Sequence, residues 1–207
     1  MIRHMLALAA PLALAACGAS PTIALLEDHA GRDTRHSFVV CANYQCTARY
    51  DVTLSDAEWA RVRAVFEPPA ADAAAERARI ALAVGLIERI VGPKTNTTGD
   101  RPGATILTTR TRGQMDCIDE SHNTTLYLRM MDRDGLIRFH EVAGPIKRGH
   151  VIDRWFHNTA TVTDKATGVA WVIDSWFGAN GETADVVTAE AWLAGWEPET
   201  FKTRPDR

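Results

Sequence analysis

Residues 151–176 read VIDRWFHNTATVTDKATGVAWVIDSW. Two runs rich in β-branched and aromatic residues, Val151–Thr163 and Val169–Ile173, flank Asp164-Lys165-Ala166-Thr167-Gly168, which has turn chemistry. The pattern predicts an antiparallel hairpin. With a four-residue loop, His157 lies opposite Asp174 on one face; with a five-residue loop, Asn158 takes that place. In either register the imidazole and the carboxylate are neighbours. A carboxylate beside an imidazole fixes its tautomer and supports its charged form. Taken singly, His157 also suits a satisfied core histidine, and Asp174 a cap on the turn after its strand.

Upstream, residues 113–120 read GQMDCIDE. Asp116 is a good N-cap, so a helix starts there and ends before Asp134-Gly135, with Cys117 at its first position. Backbone N–H groups and the macrodipole at that position favour a thiolate and offer donors to an oxyanion. Asp116, Asp119 and Glu120 crowd the same thiol with negative charge, which opposes this unless they point away as capping groups or bind a basic substrate. His122-Asn123-Thr124-Thr125 are poor helix formers in the middle of this helix. They read either as a solvated face or as a buried polar network.

Further out, Ser55-Asp56-Ala57-Glu58 is a capping box for a helix over 55–66, stopped by Pro68-Pro69. A second helix spans 71–91, with Ile80, Val84, Ile87 and Val91 as its apolar stripe and Gly92-Pro93 as its stop. Residues 92–113 read as a long polar loop with one short extended run, Ala104–Thr109. Leu136–Ala143 alternates as a strand that Gly144-Pro145 breaks. Thr188 caps a short helix carrying Trp192 and Trp196, and the tail 198–207 reads as frayed. The five tryptophans of the last third read as core packing, or as a substrate groove walled by Trp155 or Trp176. The order is a small hairpin, helices, then an antiparallel sheet with a late helix. The fold class is α+β, with helices packed on a small antiparallel sheet in a single domain over 36–197.

A cysteine at a helix start, a histidine in a strand and an aspartate in the next strand, in that order, resemble the transglutaminase-like branch of the papain-like cysteine enzymes. The resemblance covers roughly residues 75–180. It implies a papain-like (transglutaminase-like) core, with Cys117 as nucleophile, His157 as general base and then acid, and Asp174 as the orienting carboxylate. It implies a hydrolase or acyltransferase that attacks a peptide, protein or cell-wall amide and needs no cofactor. Gln114 is a candidate for oxyanion support, although the papain branch places its glutamine further upstream. The rival reading is a catalytically inactive binding or scaffold protein of the same fold.

Residues 1–16, MIRHMLALAAPLALAA, form a short positive region and an apolar run too short to span a bilayer. The run ends in Leu14-Ala15-Ala16-Cys17, which resembles the lipobox of bacterial lipoproteins. That resemblance implies cleavage before Cys17, lipidation of Cys17, and a membrane-anchored protein of the cell envelope. Gly18 after the cysteine favours the outer membrane, facing the periplasm. Residues 17–35 then form the tether, with a short helical stretch around Ile23–Asp28. An oxidising envelope permits a disulfide between Cys41 and Cys46 across the turn 42–45, between strands Ser37–Val40 and Thr47–Leu54; two free buried thiols are the alternative. The formal net charge of −3, without a basic stripe, argues against nucleic-acid binding. No CxxC, HxH or HxxxH is present, so no metal site is expected.

Overall fold

The computed structural model describes residues 34–107, 111–150 and 154–203, and the side chains of 150, 154 and 155 are not among what it describes. The signal segment, the lipobox with Cys17, the Ile23–Asp28 stretch, nearly all of the tether and the Trp155 side chain therefore lie outside the described residues.

Strands β1 (Phe38–Ala42) and β2 (Ala48–Val52) pair antiparallel, Phe38 opposite Val52 and Ala42 opposite Ala48. Between them Asn43, Tyr44, Gln45 and Cys46 all take positive φ, between 54° and 66°. Each L-residue held there costs about 1–2 kcal/mol, so the turn needs external ties. A Cys41–Cys46 disulfide closes it.

Helix α1 (Asp56–Val65) starts at the Ser55/Glu58 capping box and buries Trp59 and Val62. Helix α2 (Ala73–Thr95) is capped by Asp72, whose carboxylate accepts from Ala75 N at 2.8 Å. Its Ile80, Val84, Ile87 and Val91 are all buried. The expected stop at Gly92-Pro93 is corrected: the helix runs through both. A proline this near the end removes one ladder bond from a turn that is already finishing. The helix ends where Asn96 takes a left-handed φ of 61° and donates its N–H to Gly92 O. The following loop is correspondingly shorter. Its described part at Ala104–Leu107 is turn and coil, not an extended run.

Helix α3 (Cys117–Arg133) follows, and then one antiparallel sheet in the order β3-β4-β5-β6: β3 (His140–His150), β4 (Arg154–Asp164), β5 (Ala170–Asp174) and β6 (Asp185–Thr188). The strand expected to break at Gly144-Pro145 instead continues to His150. Its register with β4 shifts between Ala143 and Ile146, and that bulge absorbs a residue lacking an N–H. It also begins later than expected, at His140. Strand β6 is a short β-branched run, Val186-Val187-Thr188, that the sequence reading leaves unassigned. Thr188 does cap a helix, α4 (Ala189–Leu193).

The described part of the tail, 198–203, departs from the frayed reading. Residues 199–202 form a helical turn, α5 (Glu199–Lys202), and Phe201 is buried. A ring with an apolar cluster to enter overrides charged, proline-containing local sequence.

One hydrophobic cluster joins Phe38 and Leu54 of the hairpin segment, the stripe of α2, Leu126, Tyr127, Leu128, Met130 and Met131 of α3, and Ala160, Val162 and Ile173 of the sheet. The fold is α+β, with helices on small antiparallel sheets.

Candidate active site

Asp116 caps α3: its Oδ1 accepts from Ile118 N and Asp119 N, both at 3.1 Å, while Asp119 Oδ2 accepts from Asp116 N at 3.2 Å. Cys117 is thus the first helical residue, as the capping pattern predicts. The two carboxylates also hold the hairpin. Asp119 accepts from Tyr44 N at 2.8 Å and Cys46 N at 2.6 Å, and Asp116 accepts from Gln45 N at 3.1 Å. Successive N–H groups of a left-handed turn converge on one side and suit anions. The disulfide hairpin is therefore bolted to the start of the cysteine helix. Asn123 completes the joint, accepting from Cys41 N at 2.8 Å and donating to Cys41 O at 2.9 Å.

Cys117 is free and buried. Its Sγ lies 3.8 Å from Phe156 O and 3.8 Å from Asn158 Nδ2, the residues on either side of His157. Burial pushes the thiol up to about 12, and Asp116 and Asp174 add to the rise; donors of Asn158 partly offset it. At rest the sulfur is protonated.

The β4–β5 register matches neither expected loop. Thr163 pairs with Ala170 and Ala160 with Ile173, leaving 164–169 as the connection. Continued, that register sets Thr159 opposite Asp174, with His157 on the same face one diagonal step away. His157 Nε2 still reaches Asp174 Oδ2 at 2.7 Å. The indole of Trp192 donates to the same oxygen at 2.8 Å, and Trp176 N donates to Oδ1 at 3.3 Å. The imidazole ring packs on Trp176, Phe177 and Trp192, with centroids 4.5, 5.1 and 5.2 Å away. Its Nδ1 is buried with no hydrogen-bond partner among the described residues. Opposite His157 on β3, Arg148 donates to Trp192 O and Trp196 O and stacks over Trp192, pinning α4 to this face.

The structure thus brings His157 and Asp174 into direct contact. Cys117 shares an aromatic cluster with Trp176 and Phe177, the rings that pack on His157. No Sγ–imidazole hydrogen bond forms among the described residues. Gln114 is engaged elsewhere. Its side chain accepts from Arg101 N at 3.1 Å and donates to Gly99 O at 2.8 Å, anchoring that loop.

The odd stretch 122–125 is a buried polar network, not a solvated face. Thr124 Oγ1 meets Ser175 Oγ at 2.9 Å, and Ser175 donates to Glu120 Oε2 at 2.6 Å. Burial pushes Glu120 up to about 7. Burial and Glu120 together push Asp100 up to about 9 and raise Glu88. Sequence reasoning gave no site role to Asn158, Trp192, Ser175, Glu88 or Asp100. Asn158 had its position beside His157 as a signal; the others are joined only by tertiary packing.

Cys41, Cys46 and Asp119 place their ligand atoms within 4.8 Å of one another, but the disulfide consumes both thiols. A surface pocket of about 170 Å³ lies among Arg35, Trp59, Met130 and Asp134, and none of the candidate residues lines it. Among the described residues, no helix is long and apolar enough to cross a membrane. Comparison with known protein families, curated proteins and solved structures finds no match to this chain.

Proposed function

We propose that this chain is an envelope lipoprotein whose domain is a papain-like, transglutaminase-like cysteine hydrolase or acyltransferase. Cys117 is the nucleophile, His157 the base and then the acid, and Asp174 the orienting carboxylate. The observation that carries the reading is the buried His157–Asp174 contact of 2.7 Å, made through Nε2. It leaves Nδ1 as the nitrogen that can accept a proton, on a residue whose two chain neighbours touch the Cys117 sulfur.

Because the resting thiol is neutral, its proton passes to Nδ1 as the sulfur attacks. The S–C bond forms, the bond to the amine breaks, and the imidazolium returns the proton to the leaving nitrogen. Water or an amine then takes the acyl group from the thioester. The substrate class is a peptide, protein or cell-wall amide. Cys17 carries the lipid in this reading; Cys17→Ser is then expected to move the chain from the membrane fraction to the soluble one.

The second reading, an inactive binding lipoprotein, draws on the raised thiol and the missing Sγ–imidazole bond. Incubation with p-nitrophenyl acetate separates the two. The enzyme reading expects a burst of one p-nitrophenolate per chain and an acetyl group on Cys117, both lost in His157→Ala. Equal burst in wild type and His157→Ala, or none in either, favours the inactive protein.

A further inference from the structure

Helical turn α5 carries its aromatic residue into the cluster that holds the thiol. Phe201 lies with Cys117, Trp176 and Phe177 in one buried group. Its ring centroid is 5.6 Å from Trp176 and 4.9 Å from Phe177, and those two rings also pack on His157. Space for it is made by Gly103, at φ 67°: a Cβ there would sit 2.3 Å from the Phe201 ring. The loop bearing Gly103 is fastened to the same cluster, since Gly103 N donates to Trp176 O at 2.7 Å and Trp176 Nε1 to Ala104 O at 3.0 Å.

The turn is only four residues long. Its N-cap is Pro198, which supplies no side-chain hydrogen bond. The N–H groups of Phe201, Lys202 and Thr203 bond back to Pro198 and Glu199, inside the turn. A four-residue helix has no stability of its own, so the ring anchors the segment. Ile118 and Trp196, both partly buried, pack against this cluster, and the Phe156 carbonyl lies beside the sulfur. An aromatic ring buried in the cluster that holds a nucleophile stands where an apolar substrate side chain could sit.

Resting on the cysteine-enzyme reading above, we infer that α5 is a self-inhibitory stopper, and that Phe201 occupies a subsite that takes a large apolar or aromatic side chain of the peptide substrate. Substrate entry displaces the turn and uncovers the thiol. Substrates rich in small or charged side chains alone lack the group that displaces it.

The test measures alkylation of Cys117 by iodoacetamide in the whole chain. Phe201→Ala is expected to raise the rate at least tenfold, and toluene, which fits an aromatic-sized cavity, to slow that variant again while leaving wild type unchanged. An unchanged rate in folded Phe201→Ala overturns the stopper. Hydrogen exchange on the wild-type chain keeps the test open if the variant fails to fold. The amides of 201–203 are expected to exchange far faster than those of Ala160 and Ile173; equal protection overturns the proposal. Adding His157→Ala to Phe201→Ala distinguishes the two claims. A faster, toluene-sensitive rate that ignores His157 keeps the stopper and sinks the enzyme; a His157-dependent rate indifferent to Phe201 does the reverse.

Discussion

The imidazole of His157 meets the carboxylate of Asp174 at 2.7 Å across a diagonal of the β4–β5 pair, not directly opposite it. Two donors, His157 Nε2 and Trp192 Nε1, converge on the single oxygen Oδ2, while Oδ1 takes the Trp176 N–H. An amide cannot serve all three, because one of its two ends is itself a donor. Asp174→Asn is expected to reduce acetylation of Cys117 by at least about a hundredfold, the scale of lost general acid–base help. It should also cost about 1–3 kcal/mol of stability, from a buried donor left unmatched. Burst kinetics and urea unfolding of the variant check both parts. A variant that keeps the wild-type burst removes Asp174 from the mechanism.

The buried acids make the protein more stable in mild acid than in mild base. Glu120 is pushed up to about 7 and Asp100 to about 9, chiefly by burial. Between the unfolded carboxyl pKa of about 4 and these values, the folded chain binds more protons than the unfolded one, so stability falls as pH rises. Two other acids act at the low end. Glu76 is held below its usual value: hydrogen bonds from His140, Arg138 N and Phe139 N outweigh its burial. Arg63 holds Asp134 low as well. Their contribution is lost as pH falls below about 4. The melting temperature is expected to peak between about pH 4.5 and 6.5 and to fall by at least about 3 °C towards pH 9. Glu120→Gln should flatten that fall; a melting temperature that rises steadily to pH 9 contradicts the assignment.

The hairpin joint is testable apart from chemistry. Replacing Cys41 and Cys46 together by Ser frees a short loop, worth about 2 kcal/mol in chain entropy. It also loosens the left-handed turn whose N–H groups serve Asp119 and Asp116. Asn123→Ala leaves the N–H and carbonyl of Cys41 unmatched in a buried place, at about 1–3 kcal/mol each. Denaturant unfolding should show both losses. A neutral Asn123→Ala would mean water replaces that amide.

Gly85 marks the contact between α2 and the loop before β6. A Cβ there would lie 2.2 Å from Glu182 O, a backbone atom that cannot swing away. Gly85→Ala is expected to cost about 1–3 kcal/mol despite alanine's better helix propensity. Thermal unfolding decides the sign, and a stabilised variant would show that the 181–182 segment can yield.

The elements with local signals were legible in the sequence. Ser55 with Glu58, Asp116 and Thr188 each satisfy orphan N–H groups within three residues, so their helices start where the residues say. The Cys41–Cys46 pair and the meeting of His157 with Asp174 were also readable, because a short turn or a hairpin keeps the partners close. Breakers misled where the surroundings could absorb them: Pro93 falls in a last turn, and Pro145 falls at a bulge. The register depended on how many residues the 164–169 connection uses, which composition does not specify. The four left-handed residues 43–46, strand β6 and the burial of Phe201 are set by tertiary partners, namely Asp119 and Asp116, strand β5, and the Trp176–Phe177 cluster.

The most direct measurement is the alkylation rate of Cys117 by iodoacetamide at pH 7.5 in wild type and in His157→Ala. If His157 Nδ1 takes the thiol proton during attack, the variant reacts at least about tenfold more slowly, although removing the ring opens space beside a sulfur that is otherwise buried. If Cys117 is an inert core thiol, that opening makes the variant react as fast as wild type or faster, and the enzymatic account fails.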